Sequence, residues 1–237
     1  MGEVLSVNEV LRQERKMLIT ATQMYRLKPV FSQVMMEDQH GAEEGYIIRS
    51  LYFDTIDDKD FHDKEDGVLL RRKIRLRNYG QDSNFALLEM KQKEGANQKK
   101  RSLKMNVDDA KRLINRDYFV LLSYDDPFAA ECFGIMNSQC YLPKAVVEYK
   151  RKAYVAKENR IRVTFDSNIV CTESCFDIFS EHLLQNSCLD PSLAVLEVKY
   201  NGFLLSYIKD ILQMVNESEL SVSKYSLSRS VSMHYNF

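Results

Sequence analysis

The sequence predicts an α+β protein that is mainly antiparallel β: an eight-stranded closed β-barrel with helices in the connections and at the periphery. Two observations carry this. Short strand-like segments alternate charged residues on one face with apolar residues on the other. The clearest is Arg71-Arg72-Lys73-Ile74-Arg75-Leu76-Arg77. Successive strand side chains point to opposite faces, so Arg71, Lys73, Arg75 and Arg77 share one face, while Ile74 and Leu76 take the other. Short polar turns, Glu94-Gly95-Ala96-Asn97 and Lys157-Glu158-Asn159, join consecutive strands as hairpins. The strands therefore follow one another mostly in meander order, and antiparallel closure removes sheet edges while leaving room for one ligand.

The elements follow in order. Glu14–Ile19 reads as a first strand. Thr20–Val34 has Met24, Leu27, Val30, Phe31 and Val34 at helical spacing, with Pro29 expected to disturb it. Tyr46–Asp54 is a strand, and Asp57–Glu65 a short helix capped by Asp57 or Asp58. Leu69–Tyr79 is a strand closed by Asn78-Tyr79-Gly80. Phe85–Lys93 and Gln98–Met105 form a hairpin. Val107–Asn115 and Pro127–Cys140 read as helices, the second with Pro in its first turn. Lys144–Ala156 and Arg160–Asp166 form the second hairpin, and Leu193–Tyr200 is the last strand. Phe203–Val215 is an amphipathic helix, and Val222–Phe237 is a Ser-rich tail.

With 237 residues, 4 Pro and 8 Gly, and no visible linker or repeat, the expectation is one domain over residues 1–237. Hydrophobic residues at 45% suffice for a large core. A net charge of -1 argues against bulk electrostatic binding of nucleic acid, so the cations matter by placement. The five Cys form no C-x-x-C pair, and Cys171 and Cys175 lack a second pair to complete a zinc site. An odd Cys count without a hydrophobic leader in Met1–Gln13 favours reduced thiols and a cytoplasmic protein. No apolar run approaches the roughly 20 residues of a membrane span.

Other segments repeat the charged alternation: Glu14-x-Lys16, Glu89-x-Lys91-x-Lys93, Lys99-x-Arg101, Tyr149-x-Arg151, Arg160-x-Arg162 and Glu197-x-Lys199. A closed sheet carries such faces inward only if its interior is wet and holds an anion. Arg75, Arg77, Lys91, Lys93, Arg151, Arg162 and Lys199 would then converge on a phosphate chain, Arg by bidentate contacts and Lys as point charges. The interspersed carboxylates Glu14, Glu89 and Glu197 would bridge to Arg or Lys, or hold a divalent metal. Lys93, Lys99 and Arg101 either line the mouth of such a tunnel or blunt a hairpin edge. Tyr52 and Phe53 read as core, Asp54 and Asp166 as strand-end caps or Arg partners. His40, His62, His182 and His234 carry no catalytic expectation. Removing Arg75 and Arg77 together is expected to abolish anion binding and leave the fold intact or stabilised.

These segments resemble the VTC domain, the catalytic domain of eukaryotic vacuolar polyphosphate polymerase, and its stand-alone bacterial relatives in the triphosphate tunnel metalloenzyme superfamily. The matching stretches run in family order: Glu14-Arg15-Lys16, Ser50-Leu51-Tyr52-Phe53-Asp54, Lys73 to Gly80, Leu88-Glu89-Met90-Lys91, Tyr149 to Tyr154, Arg160 to Asp166, Leu196 to Tyr200 and Ser223-Lys224-Tyr225. The resemblance implies an eight-stranded tunnel that transfers the ATP γ-phosphate onto a growing polyphosphate chain with Mn²⁺ or Mg²⁺. By carry-over Lys16, Arg75, Arg77, Lys91, Arg151, Arg162 and Lys224 would bind phosphate. Tyr149 and Ser223 would add hydroxyl contacts and Glu197 would be the metal ligand. Glu14, Lys93, Arg101, Arg160 and Lys199 complete the candidate substrate contacts. No protein nucleophile is expected. Hydrolase and cyclase branches carry E-x-E-x-K on the first strand; here Arg12 replaces the first Glu, which resembles the polymerase branch. A tripolyphosphate or nucleoside-triphosphate hydrolase, and a non-catalytic polyphosphate-binding module, stand as alternatives. The phosphate-sensing SPX domain and membrane helices of the vacuolar complex are absent from this sequence, and a membrane-protein partner is compatible with it.

Overall fold

Each expected strand forms, and strand alternation decides which side chains meet the core. The computed structural model describes residues 12–39, 44–95, 97–215 and 223–233. His40, His234 and most of the N-terminal stretch lie outside them. The chain runs β1 (Arg12–Thr20), α1 (Ala21–Val34), β2 (Met36–Glu37), β3 (Tyr46–Asp54), α2 (Lys59–Glu65), β4 (Leu70–Asn78), β5 (Phe85–Glu94), β6 (Asn97–Asn106), α3 (Val107–Ile114), α4 (Pro127–Ser138), β7 (Leu142–Val155), β8 (Arg162–Thr172), β9 (Asn186–Ser187), β10 (Leu193–Asn201), α5 (Ser206–Gln213) and α6 (Lys224–Met233). Hydrogen bonds order the strands β1-β10-β8-β7-β3-β4-β5-β6, with β2 beside β7 and β9 beside β8. The β1–β10, β10–β8, β2–β7, β3–β4, β4–β5, β5–β6 and β8–β9 ladders are antiparallel. Among the described residues this path ends at β1 and β6, and hydrogen bonds do not close the sheet into a barrel. No described helix is long and apolar enough to cross a membrane.

The chain divides into two compact units, each built from three segments. The first comprises residues 1–45, 151–167 and 191–222. Its core joins Met17 and Ile19 of β1, Val163 and Phe165 of β8, and Leu196 and Val198 of β10 to Leu27 and Phe31 of α1 and Ile208 of α5. Burying each such side chain stabilises by about 1.5–3 kcal/mol. Helix α1 starts at a capping box: Gln23 N donates to Thr20 Oγ1 at 3.1 Å, and Thr20 N donates to Gln23 Oε1 at 2.7 Å. Pro29 lies inside α1 without ending it. The buried Met24, Leu27 and Phe31 hold the helix across the missing amide. Gly45, with φ +92, lies so close to the Arg151 carbonyl that a Cβ would stand 2.4 Å from its oxygen.

The second unit comprises residues 46–150, 168–190 and 223–237. Its core joins Leu51, Phe53, Ile74, Leu76, Leu88 and Met90 of β3–β5 to Leu113 of α3 and Phe128 and Met136 of α4. The start of α2 is capped from the preceding strand: Asp54 Oδ1 accepts from Asp60 N at 2.8 Å, and Asp54 Oδ2 accepts from Phe61 N at 2.9 Å. Asp58, one of the two residues expected to cap it, stands at the N-cap but makes no side-chain capping bond. The Ser-rich tail contains a helix that apolar periodicity did not reveal. Ser223 starts α6, accepting from Ser226 N on its hydroxyl and from Leu227 N on its carbonyl.

Candidate functional site

In the second unit, strand register assembles one cationic face. Arg75 of β4 stands opposite Tyr52 of β3 and Glu89 of β5, and Arg77 opposite Ser50 and Leu87. Lys73 stands opposite Lys91, and Arg71 opposite Lys93. Across β5, Glu89 faces Ser102, Lys91 faces Lys100, and Leu87 faces Lys104. Among the described residues, Glu89 is the one carboxylate that β4, β5 and β6 place on this face.

Glu89 is 1% exposed. It accepts from Arg75 Nε at 2.7 Å, lies 3.7 Å from Arg77 Nη1, and forms an ion pair with Lys100. Burial pushes its carboxyl up, but Arg75, Arg77 and Lys100 outweigh that and hold it down at about 2. Lys100 shows the converse: burial and the two Arg lower its ammonium despite Glu89. Hydroxyls complete the face. Arg75 Nη1 donates to Tyr52 Oη at 3.4 Å, Arg77 Nε to Ser50 Oγ at 3.4 Å, and Arg77 Nη2 to Tyr149 Oη at 3.5 Å. Helix α6 brings the Ser223-Lys224-Tyr225 motif to it. Lys73 Nζ donates to Ser223 Oγ at 2.6 Å, Lys224 Nζ lies 4.5 Å from the Tyr149 ring centroid, and Tyr225 stacks on Tyr52 with centroids 5.0 Å apart. Tyr225 Oη also donates to Asp54 Oδ2 at 2.8 Å, so the carboxylate that caps α2 anchors the motif as well.

The first unit has a polar face of different balance. Glu14 and Lys16 of β1 stand opposite Lys199 and Glu197 of β10, which stand opposite Arg162 and Thr164 of β8. Here cations and carboxylates pair closely. Lys16 Nζ is 2.7 Å from Glu14, Lys199 pairs with Glu197 and lies 3.8 Å from Glu14, and Arg162 pairs with Asp38. Arg151 and Asp166 form a buried bidentate pair, Nε to Oδ1 at 2.6 Å and Nη2 to Oδ2 at 2.7 Å. Glu197 is 6% exposed. Burial raises its carboxyl, but Lys199, Lys16 and Arg151 hold it well below the usual range. Glu14 is also lowered: burial and Glu197 push it up, and Lys16 and Lys199 more than offset them. The buried Thr164 hydroxyl, across the register from Glu197, has no hydrogen-bond partner.

Two carboxylates and this hydroxyl form an all-oxygen donor set, the type a hard divalent cation takes. Among the described residues no group of three or more His, Cys, Asp or Glu could hold a metal. A cation bound here would therefore need water or phosphate oxygens to complete its coordination, and Lys199 and Lys16 would yield the carboxylates.

Two sequence expectations are corrected. Arg101 stands opposite Met90, on the core side of the hairpin, where Glu131 of α4 takes both its Nη groups and Gln92 accepts from Nη2. Lys100, not Lys99 or Arg101, joins the cationic face. Glu94 pairs with Asn97 around Gly95, φ +57, and a two-residue loop of this kind sets the register. Arg160 is not on β8: it is exposed in a 3₁₀ turn with φ +48 and does not share the face of Arg162. Tyr52 and Phe53 are both buried as expected, but on opposite faces of β3: Phe53 joins the apolar cluster, while the Tyr52 hydroxyl meets Arg75 on the cationic face. Lys73, Ser50 and Tyr225 join the site as additions. The β4 alternation announces Lys73, while the others depend on register and on α6.

The VTC domain family model matches residues 11–233. No curated protein matches the chain. Among solved structures, a candidate adenylyl cyclase from Hippeastrum, described as having a dominant triphosphatase activity, superposes with a TM-score of 0.57 at 12% identity. The match covers 92% of this chain and 95% of that one. A candidate adenylate cyclase from Bacillus halodurans superposes with a TM-score of 0.53 at 14% identity, covering 90% and 95%. One from Vibrio parahaemolyticus reaches 0.50 at 11% identity, covering 92% and 97%. At these identities the likeness is one of fold.

Proposed function

From the premise that this chain belongs to the VTC domain family, within the triphosphate tunnel metalloenzymes, we propose that it is a metal-dependent polyphosphate polymerase. In this reading it transfers the ATP γ-phosphate to inorganic polyphosphate in the cytoplasm. The reading includes the single eight-stranded closed tunnel that the family resemblance implies. The observation that carries it is the second unit's face, where one buried carboxylate, Glu89, meets Arg75, Arg77 and Lys100. Such a face is strained by like charges without an anion and relieved by a phosphate chain.

Phosphoryl transfer asks a protein mainly for in-line positioning and charge neutralisation. Arg75, Arg77, Lys91 and Lys224 would grip phosphate oxygens, and the Tyr149 and Ser223 hydroxyls would orient them. Glu89 would hold the two guanidiniums in one plane of approach before substrate arrives. On the first unit's face Lys16, Arg151 and Arg162 would bind phosphate, and Glu197 with Glu14 and Thr164 would hold Mn²⁺ or Mg²⁺. That ion supplies charge neutralisation of phosphate oxygens when bound. Lys199 would hold Glu197 ionised and placed. The acceptor is a terminal phosphate oxygen, so no side chain acts as nucleophile.

A second reading, triphosphate hydrolysis, is favoured by two observations: two carboxylates, Glu14 and Glu197, meet around Lys199, and the Hippeastrum neighbour is described as having a dominant triphosphatase activity. Incubation with ATP, Mn²⁺ and a polyphosphate primer separates the two. A ladder on a polyphosphate-stained gel is expected; orthophosphate without chain growth overturns polymerisation in favour of hydrolysis.

A further inference from the structure

Beyond Arg77 the cationic face of the second unit changes character. The next residue of β4's parity is Tyr79, and the β5 residue facing it across the turn is Phe85. Tyr46, at the start of β3, lies on the same side. The Tyr79 ring centroid is 6.1 Å from those of both Tyr46 and Phe85. Lys104, opposite Leu87 in the register, holds its Nζ 4.5 Å from the Phe85 centroid. Three aromatic rings and a cation thus terminate a row of phosphate-type residues. The spacing is regular, since alternate residues along a strand advance about 6–7 Å, and Arg75, Arg77 and Tyr79 are successive members of that row. Tyr79 is 41% exposed, although a ring in this cluster could have been covered by its neighbours. Tyr79 directly follows the end of β4 at Asn78, and Gly80, with φ +91, turns the chain after it.

We propose that Tyr79, supported by Tyr46 and Phe85, is a stacking platform for the base of a nucleoside triphosphate whose phosphates lie on Arg77 and Arg75. This rests on the reading of that face as a phosphate site and adds the part of the substrate that inorganic polyphosphate lacks. The chemistry fits a base rather than a further phosphate. Rings offer π-faces, and Lys104, held over Phe85, places positive charge beside the sugar-phosphate junction. Base–aromatic stacking tolerates every base because each has a π-face, so the platform would take adenine and guanine with little preference. It distinguishes donor from product: ATP uses both the platform and the cations, whereas an inorganic chain uses the cations alone.

The experiment is calorimetric titration of the full chain, without divalent metal, with the β,γ-imido analogue of ATP and, separately, with inorganic tripolyphosphate. Tyr79→Ala should weaken the nucleotide by about tenfold and leave tripolyphosphate within twofold. Tyr79→Phe should restore nucleotide affinity. Circular dichroism melts should show one cooperative transition shifted by no more than a few °C, the loss expected from two ring contacts. Equal loss for both ligands, or no loss for the nucleotide, overturns the platform while tripolyphosphate binding to the unaltered protein upholds the phosphate site. Failure of tripolyphosphate to bind the unaltered protein overturns the phosphate site and the platform with it.

Discussion

The two polar faces are made of the same residue types and differ in how charge is balanced. On the second unit's face one carboxylate, Glu89, stands among Arg75, Arg77 and Lys100, with Lys73 and Lys91 on the same side of the strands. On the first unit's face Glu14, Glu197, Asp166 and Asp38 meet Lys16, Lys199, Arg151 and Arg162 nearly one for one. A face neutralised by its own pairs has no standing need for an anion, while one with an excess of cations does. In the proposed function the second face therefore depends on phosphate for its balance, while the first adds phosphate contacts and the candidate metal carboxylates, and the difference can be tested from both sides.

The largest effect is expected from Arg75→Ala with Arg77→Ala. Tripolyphosphate binding in a metal-free titration should fall by two orders of magnitude or more. The fold should also suffer, contrary to the sequence-based expectation of an intact or stabilised protein. Glu89 is buried against those guanidiniums, and stranding a buried charge costs about 3–5 kcal/mol. Adding Glu89→Gln should recover much of the melting temperature without recovering binding. Binding that survives the double substitution would break the assignment of this face.

Glu197→Gln tests the other side. Turnover of ATP with Mn²⁺ should be lost, and metal-free tripolyphosphate affinity should change by less than threefold. An equal loss of both would mean the two faces are not divided in this way.

A smaller effect concerns the support beneath the second face. Burial and the neighbouring Asp54 push the Asp60 carboxyl up to about 7, against the Tyr141 hydrogen bond and Arg72. A carboxyl raised above its ordinary 3.8 contributes stability that is fully present below that value and lost as pH rises through about 7. Glu89 works oppositely: its contribution is present above its ordinary 4.5 and lost as pH falls toward about 2, so it is silent between pH 5 and 8. Asp60→Asn should therefore shrink the drop in melting temperature between pH 5 and pH 8 by a few °C. An unchanged drop would place the titration elsewhere.

The smallest effect is expected at Arg160. Exposed in its turn, it should tolerate Ala with tripolyphosphate affinity within twofold. A tenfold loss would return it to the site.

Much of this site was legible in the chain. Alternation along β4 placed Arg71, Lys73, Arg75 and Arg77 on one side because the period of a strand is a local property of the backbone. The ordered motifs named Lys91, Tyr149 and Lys224, which lie on elements of the second unit, and Lys16, Arg151, Arg162 and Glu197, which lie on strands of the first. The hairpin at Gly95 was legible from its polar turn but its register was not: pairing sets Lys100 opposite Lys91 and turns Arg101 to the other face, opposite Met90. Arg160 escaped that logic because positive φ at Asn159 and Arg160 breaks the alternation before β8 begins.

The sequence by itself determined which residues could share a face, because side-chain direction follows from position along a strand. It could not determine which charges meet. Glu89 and Glu197 sit in similar Glu-x-Lys patterns, yet Glu89 meets Arg75, Arg77 and Lys100 from both neighbouring strands, while Glu197 pairs with Lys199 two residues along its own strand. That depends on residues far apart in the chain being brought across strand pairs and, for Tyr52 and Tyr225, on a helix capped by Ser223 and tied to Asp54. Pairing energies between such groups fall with distance, and only the packed sheet and helices set those distances.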